Sequence, residues 1–234
     1  MLDVDKELDL YYQTTLPKRY NPQGWRGFHF QENAGLEEMY ARVNALNPTL
    51  VIDAGCGRNS HKPYIKNLIG FDASPYPEVD INCAISEAPF EANSADAVLA
   101  LGSLQYISEE YVLENVDRII SWVKPGGLIE MRIVLNDDFS REYHAIYDKD
   151  AVRHPWGDEL REKITKQYNL DCMVEPWTYQ GTAPEATLEK KYQRRQQRKV
   201  ETGLKTQEWL DAIKLKDSLM QQLKRQCWTW RKNK

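Results

Sequence analysis

The chain has 234 residues, 41% of them hydrophobic and 28% charged, with a formal net charge of −4. This is the composition of a globular domain, long enough for one large unit or a unit with an appendage. No apolar run approaches the ~20 residues of a membrane span, and the first residues, MLDVDKELDLYYQ, carry acids and no apolar stretch of the secretory kind; a cytoplasmic protein with no membrane partner is the expectation. Cys56, Cys83, Cys172 and Cys227 form no CxxC pair, and His29, His61, His144 and His154 show no ligand spacing, so free thiols and no metal are expected.

Residues 1–35 are rich in aromatics interrupted by Pro17, Pro22 and Gly24, and read as an extended or partly helical arm. In 35–46, Leu36, Met39, Tyr40, Val43 and Leu46 recur at helical spacing, which predicts an amphipathic helix stopped by the Asn-Pro at 47–48. TLVIDAG (49–55) is a short apolar run of the buried parallel-strand kind, LIGFDAS (68–74) a second, 80–84 a weak third and ADAVLALG (95–102) a fourth. Ser108 opens a helix with Glu109 and Glu110 in its first turn, KPGG (124–127) ends it, and LIEMRIVL (128–135) is a fifth strand. A helix over 157–168 and a sixth strand over 170–180 follow, with Pro176 suggesting a bend or an edge. QCWTWRK (226–232) reads as a last strand, with Cys227 and Thr229 on one side and Trp228 and Trp230 on the other. Strands alternating with helices imply a mostly parallel sheet.

VIDAGCGRNSHKPYIKNLIGFD (51–72) raises the question of ligand. A dinucleotide fingerprint, GxGxxG, needs a third glycine where this chain has Ser60, and an acid about 20 residues on; Asp72 lies only 15 positions beyond Gly57, across a crossover containing Pro63. No GxxxxGK[ST] occurs, which removes a nucleotide-triphosphate loop. S-adenosylmethionine has no phosphate to cradle. It asks for glycines that let backbone come close, a carboxylate at the end of the second strand for its ribose hydroxyls, and an acid near the first strand for its ammonium group. DAGCG and GFDAS supply these.

VIDAGCGRN, GFDAS, EAPFEANSADAVLALGSLQYI and VKPGGLIEMRI, in this order over 49–135, resemble the class I S-adenosylmethionine-dependent methyltransferases, and among them the small branch that includes the ubiquinone- and menaquinone-biosynthesis-type enzymes. The resemblance implies an α/β, Rossmann-like doubly wound sheet of about seven strands with an antiparallel last strand. It implies Asp53, Gly55 and Gly57 around the methionine part of the cofactor, Asp72 on the ribose, Ala73 and Ile85 beside the adenine, and Leu101 and Gly102 on the floor near the sulfonium. The chain departs from the family at Ala84, where many members carry an acid that reads the adenine amino group, and in its short crossover over 58–67.

Methyl transfer is an in-line displacement that position alone can promote, so no fixed catalytic triad is expected; Tyr106 and His29 are candidate active-site residues, each with a plain packing alternative. The [DNS]PP[YF] tetrapeptide of amino-directed DNA enzymes is absent, and LGSLQ stands in its place. A small-molecule acceptor is therefore the leading expectation. Residues 185–225 hold eleven Lys/Arg and six Asp/Glu, leaving −9 for the rest of the chain. They read as a basic helical insertion before the last strand, either a contact for nucleic acid or an acidic partner or a solvated helix. The expected organisation is an arm and helix over 1–48, a cofactor-binding core over 49–184, the insertion over 185–225 and the closing strand over 226–234. A cofactor-binding regulatory or assembly protein, and a nucleic-acid-directed methyltransferase, are the competing readings.

Overall fold

A computed structural model describes residues 36–73, 75–104, 109–135, 156–176 and 225–233, with isolated positions between 197 and 211. The aromatic arm over 1–35, with His29, and most of the basic insertion lie outside the described residues, as does Tyr106.

Helix α1 (Glu37–Asn44) has Glu37 and Glu38 in its first turn and Arg42 in its last, which suits the helix dipole, and it buries Met39, Tyr40 and Val43. Strands β1 (Val51–Ala54), β2 (Leu68–Asp72), β3 (Ile81–Asn82) and β4 (Ala95–Leu101) follow. Next come helix α2 (Glu109–Trp122), β5 (Val123–Val134), helix α3 (Asp158–Gln167), β6 (Leu170–Pro176) and β7 (Arg225–Lys232). The seven strands form one sheet in the order β3-β2-β1-β4-β5-β7-β6. The first five are parallel, and β7 runs antiparallel between β5 and β6. The expected doubly wound sheet with an antiparallel last strand is what the chain forms, and Pro176 lies in an edge strand.

Both faces of the central strands β1, β4 and β5 are covered, so these strands are largely apolar on both sides. Leu36, Met39, Tyr40 and Val43 of the α1 region pack on Val51, Leu68, Ala97, Leu99 and Leu128. On the opposite face Val112, Val116, Ile119 and Ile120 of α2 and Ile164 of α3 join Ile52, Ala54, Val98, Ile129 and Met131. The tryptophans alternate as the sequence predicts. Trp228 and Trp230, fully buried, stack edge-on with each other and Trp228 with Trp156, and the Trp230 indole donates to Thr165 of α3 at 2.9 Å. Thr229 points to the α1 face.

Asparagine sets several turns. Asn67 (φ 55°) and Asn169 (φ 50°) sit immediately before β2 and β6, and Asn93 (φ 55°) two residues before β4. Asparagine is the side chain that best tolerates the left-handed region where glycine would otherwise be needed.

One element departs from expectation. The KPGG segment does not simply separate α2 from β5. Pairing runs from Ala95↔Val123 to Ala97↔Leu128, so residues 124–127 bulge out opposite Asp96. Gly126 takes φ 85°, and a Cβ on Gly127 would lie 2.7 Å from the Asp96 carbonyl oxygen. The bulge brings the Lys124 ammonium to Asp96 Oδ1 at 2.7 Å. Asp96 Oδ2 accepts from the Thr49 amide at 2.7 Å, the Thr49 hydroxyl at 2.8 Å and the Leu50 amide at 3.1 Å. Burial alone would raise the Asp96 pKa, but these donors pull it down to about 2. A depressed carboxylate contributes stability that is complete above its ordinary value near 4 and is lost as pH falls through about 2. Asp96→Asn is therefore expected to lower the urea midpoint at pH 7 by the equivalent of about 1–2 kcal/mol. The gap to the parent should close between pH 4 and pH 2; a gap independent of pH would exclude the ionic origin.

Candidate functional site

The sheet order reverses direction between β1 and β4, and at such a switch point the loops leaving the carboxyl ends diverge and open a crevice. Here the loop after β1 is drawn toward β2: the Gly55 and Cys56 amides donate to the Phe71 carbonyl at 2.9 and 3.0 Å. Gly55 (φ 74°) also lies against the loop after β4. A Cβ there would come within 2.3 Å of Ser103 Cβ, and the Ser103 hydroxyl donates to the Ala54 carbonyl at 2.6 Å. Glycine at 55 is thus a requirement of both conformation and space. At Gly57 (φ 53°) a Cβ would meet nothing within 4 Å, so backbone faces open space, and its amide donates to Asp72 Oδ2 at 2.8 Å.

The other residues singled out from the sequence are placed as follows. Asp53 is buried on the α1 face of β1, and Asp72 and Ala73 are half-buried at the end of β2. Ile85, buried, opens a single 3-10 turn over Ile85–Glu87, whose Glu87 carboxylate accepts the Ala84 amide at 3.3 Å. Leu101 and Gly102 are half-buried at the end of β4, and the Gly102 amide (φ 84°) donates to the Arg132 carbonyl of β5 at 3.0 Å. The glycine loop, Asp72 and the end of β4 therefore lie side by side at the carboxyl ends of the strands. Among the described residues no group of three His, Cys, Asp or Glu is arranged to hold a metal ion.

Several residues that shape this region gave no signal in the sequence. Residues 57–67 form a series of turns rather than a crossover helix, and side chains of α1 hold them. The Tyr40 hydroxyl and His61 Nδ1 share a buried hydrogen bond of 2.9 Å. The Tyr40 ring stacks on Tyr64 at 5.2 Å. The Asn44 amide donates to the Tyr64 carbonyl at 2.8 Å and accepts from the Lys66 amide at 3.0 Å. Burial, ahead of the nearby charges, raises the Tyr40 pKa and keeps the phenol neutral.

Beside Leu101, a cleft of about 110 Å³ opens between α1 and the ends of β5, β6 and β7. Its lining mixes apolar side chains such as Leu36, Met39 and Leu101 with Arg42, Glu130 and Glu175. Arg42 Nε donates to Glu130 Oε1 at 2.8 Å, and its Nη2 lies 3.3 Å from Glu130 Oε2, 3.3 Å from Glu175 Oε2 and 3.2 Å from Thr229 Oγ1. The Thr229 hydroxyl donates to Glu130 Oε2 at 2.7 Å. Glu130 is 1% exposed. Its burial pushes the carboxyl pKa up against the pull of Arg42 and Thr229, whereas burial of Arg42 is outweighed by Glu130 and its guanidinium is held above the ordinary value. Each partner offsets part of the cost of burying the other.

No family model matches the chain. Over 185 residues, 73% of this chain and 69% of the relative, it is 23% identical to trans-aconitate 2-methyltransferase of Methylobacterium radiotolerans. It is similar in fold to the 1,6-didemethyltoxoflavin-N1-methyltransferase of Burkholderia thailandensis, solved with 1,6-didemethyltoxoflavin and S-adenosylhomocysteine. That match has a TM-score of 0.62 at 12% identity and covers 100% of this chain and 92% of that one. It is also similar to phosphoethanolamine N-methyltransferase 2 of Haemonchus contortus bound to S-adenosyl-L-methionine, with a TM-score of 0.53 at 19% identity over 84% of this chain and 53% of that one. A further match is the [4+2]-cyclase SpnF, with a TM-score of 0.57 at 18% identity over 85% and 80% of the two chains.

Arg42→Met would leave Glu130 buried with Thr229 as its remaining hydroxyl donor, and is expected to cost about 3–5 kcal/mol in urea unfolding. The double variant Arg42→Met/Glu130→Gln, which removes the stranded charge, should recover a large part of that loss; equal losses would show that the charge is not its source.

Proposed function

We propose, from the class I S-adenosylmethionine-dependent methyltransferase fold that this chain has, that it binds S-adenosylmethionine in the crevice between β1 and β4 and transfers the methyl group to a small molecule. The observation that carries the reading is the hydrogen bond from the Gly57 amide to Asp72, which sets a glycine loop and a strand-end carboxylate side by side at the switch point of the sheet. The residues fit the cofactor. The open side of Gly57 leaves room for a close-lying ligand, and the Asp72 carboxylate is the acceptor that a ribose diol requires. The Ala84–Ile85 turn offers the apolar edge and backbone polar groups with which an adenine can be held where no acidic side chain reads it. In this assignment Asp53, Gly55 and Gly57 border the methionine part, Ala73 and Ile85 the adenine, and Leu101 and Gly102 the sulfonium.

The cofactor supplies a methyl group on a positively charged sulfur. The protein's part is to hold an acceptor nucleophile in line with it and to keep water away. The cleft beside Leu101 is the proposed place for that acceptor. Its modest volume and the small-molecule acceptors named for the relative and for the two methyltransferase neighbours favour a metabolite over a polymer. Tyr106 and His29 remain the proposed active-site side chains from the sequence, outside the described residues. The neighbour that is a cyclase favours a second reading, in which the cofactor is bound and no methyl group moves.

The test has two parts. Calorimetry with S-adenosylhomocysteine should show binding, and incubation with S-adenosylmethionine and panels of small carboxylate, amine and heteroaromatic acceptors should yield S-adenosylhomocysteine in one panel. Binding without turnover in any panel supports the second reading; absence of binding refutes both. Asp72→Asn should keep the melting midpoint and weaken S-adenosylhomocysteine binding roughly ten- to 150-fold, as expected for about 1.5–3 kcal/mol in hydrogen bonds to a charged group. Unchanged affinity would remove Asp72 from the ribose.

A further inference from the structure

Parallel strands are usually joined by a crossover helix, which in this architecture packs behind the ligand loop and fixes it. Between β1 and β2 this chain has turns instead, so the loop that carries Gly57 is held by something else. Part of the answer lies two residues further on. Asn59 takes φ 56°, a left-handed conformation that turns its buried side chain back over β2. There it occupies the space above Gly70: a Cβ on that glycine would stand 2.5 Å from Asn59 Oδ1. Asn59 Nδ2 donates to the Glu78 carbonyl at 3.0 Å and to Asp80 Oδ2 at 3.0 Å.

Asp80, next to the start of β3, collects the remaining contacts. Its Oδ2 also accepts the Gly70 amide at 2.9 Å, its own amide donates to the Gly70 carbonyl at 3.0 Å, and its Oδ1 is paired with the Lys62 ammonium. One carboxylate thus joins the middle of the helix-free loop (Asn59 and Lys62), the centre of β2 (Gly70) and the entry to β3. The spacing matters. Gly57 precedes Asn59 by two residues, and Asp72 follows Gly70 by two, so Asn59 over Gly70 and Gly57 against Asp72 are successive rungs between the same two segments. Fixing one rung sets the other.

We propose that Asp80 is a positioning residue for the cofactor loop: by holding Asn59 and Lys62 against β2 it keeps the Gly57 amide on Asp72, in place of the missing crossover helix. The proposal rests on the methyltransferase reading for its ligand, but its geometry can be read without one. Burial works to raise the Asp80 pKa, yet the bonds from Lys62, Gly70 and Asn59 hold it below the ordinary value, so the carboxylate is ionised throughout the neutral range.

The test uses Asp80→Asn, Asn59→Asp and the exchanged pair Asn59→Asp/Asp80→Asn in the full chain. In Asp80→Asn the one remaining carbonyl oxygen serves either the Oδ2 donors, Asn59 and Gly70, or Lys62, so at least one of the three donor partners faces a donor and the charge opposite Lys62 is lost. The exchanged pair restores a donor opposite an acceptor between positions 59 and 80 but leaves the Glu78 carbonyl and the Gly70 amide without those partners, so its repair is partial. Two readouts are followed: affinity for S-adenosylhomocysteine by calorimetry, and the Gly57 amide proton by NMR, which a carboxylate acceptor holds downfield. Asp80→Asn is expected to weaken binding at least about tenfold and to move the Gly57 resonance upfield while the amides of β4 and β5 stay in place; the exchanged pair should bind more tightly than Asn59→Asp and recover part of the shift. An unmoved Gly57 resonance, or binding equal to the parent, overturns the positioning role, and so does an exchanged pair that binds no better than Asn59→Asp. Should Asp80→Asn fail to fold, the comparison of Asn59→Asp with the exchanged pair decides the point, because only a direct 59–80 contact predicts that the second change repairs the first. If the parent binds no S-adenosylhomocysteine, the functional reading fails by itself, and the Gly57 shift in the ligand-free variants still supports or overturns the role of Asp80.

Discussion

A carboxylate in the middle of a central strand has to be answered from the adjoining layer. Glu130, inside β5 and closed off from water, is answered by Arg42 of α1 and by Thr229 of β7, and this single requirement orders much of what lies above the sheet. It settles which helix covers the α1 face and at what register, because the guanidinium must reach β5, β6 and β7 at once. With α1 so placed, Tyr40 and Asn44, on the turns either side of Arg42, lie over the segment after β1 and grip it at His61, Tyr64 and Lys66. That segment leads back to Gly57 and Asp72. A buried ion pair is a poor source of net stability; here its use is in specifying one arrangement of the helix on the sheet, and through the helix one conformation of the loop.

The strands and helices were legible in the sequence because periodicity is a local property. Val51–Ala54 and Ala95–Leu101 are continuous apolar runs, and α1 and α2 carry their apolar residues at helical spacing. The place of β7 was legible too, from the alternation of Trp228, Thr229 and Trp230. In the sequence KPGG shows only a plain stop, since nothing local distinguishes a turn before a strand from a bulge whose outer side meets Asp96. The site divides in the same way. Gly55, Gly57 and Asp72 lie in short motifs and could be named in advance. Arg42 and Glu130 are 88 positions apart and Asn59 and Asp80 21 apart, and such pairs exist only once the chain is folded. Asn59 in particular looks like any loop asparagine until its dihedral angle and the empty place over Gly70 are seen together.

The two ends of the sheet do different work. At the amino ends of β1 and β4, Asp96 gathers Thr49, Leu50 and Lys124 into a closed set of short bonds. At the carboxyl ends the polar groups are arranged around spaces: the open side of Gly57 and the cleft by Leu101. Rigidity at one end allows the other to be built largely of loops, which gain their definition from a few long-range side-chain bonds rather than from a helix of their own.

The position of β7 bears on how the molecule is made. It lies between two strands that precede it in the chain, so as the polypeptide leaves the ribosome β5 and β6 are finished before the strand that joins them exists. Through that interval the nascent chain holds two unsatisfied edges, seven residues of β5 and seven of β6 that will later pair with β7, and Glu130 waits without its threonine. Edges of this kind invite pairing with other chains. Completion of the sheet therefore waits for the strand made last among its seven, and until then the pairing edges of β5 and β6 are a liability of the unfinished fold.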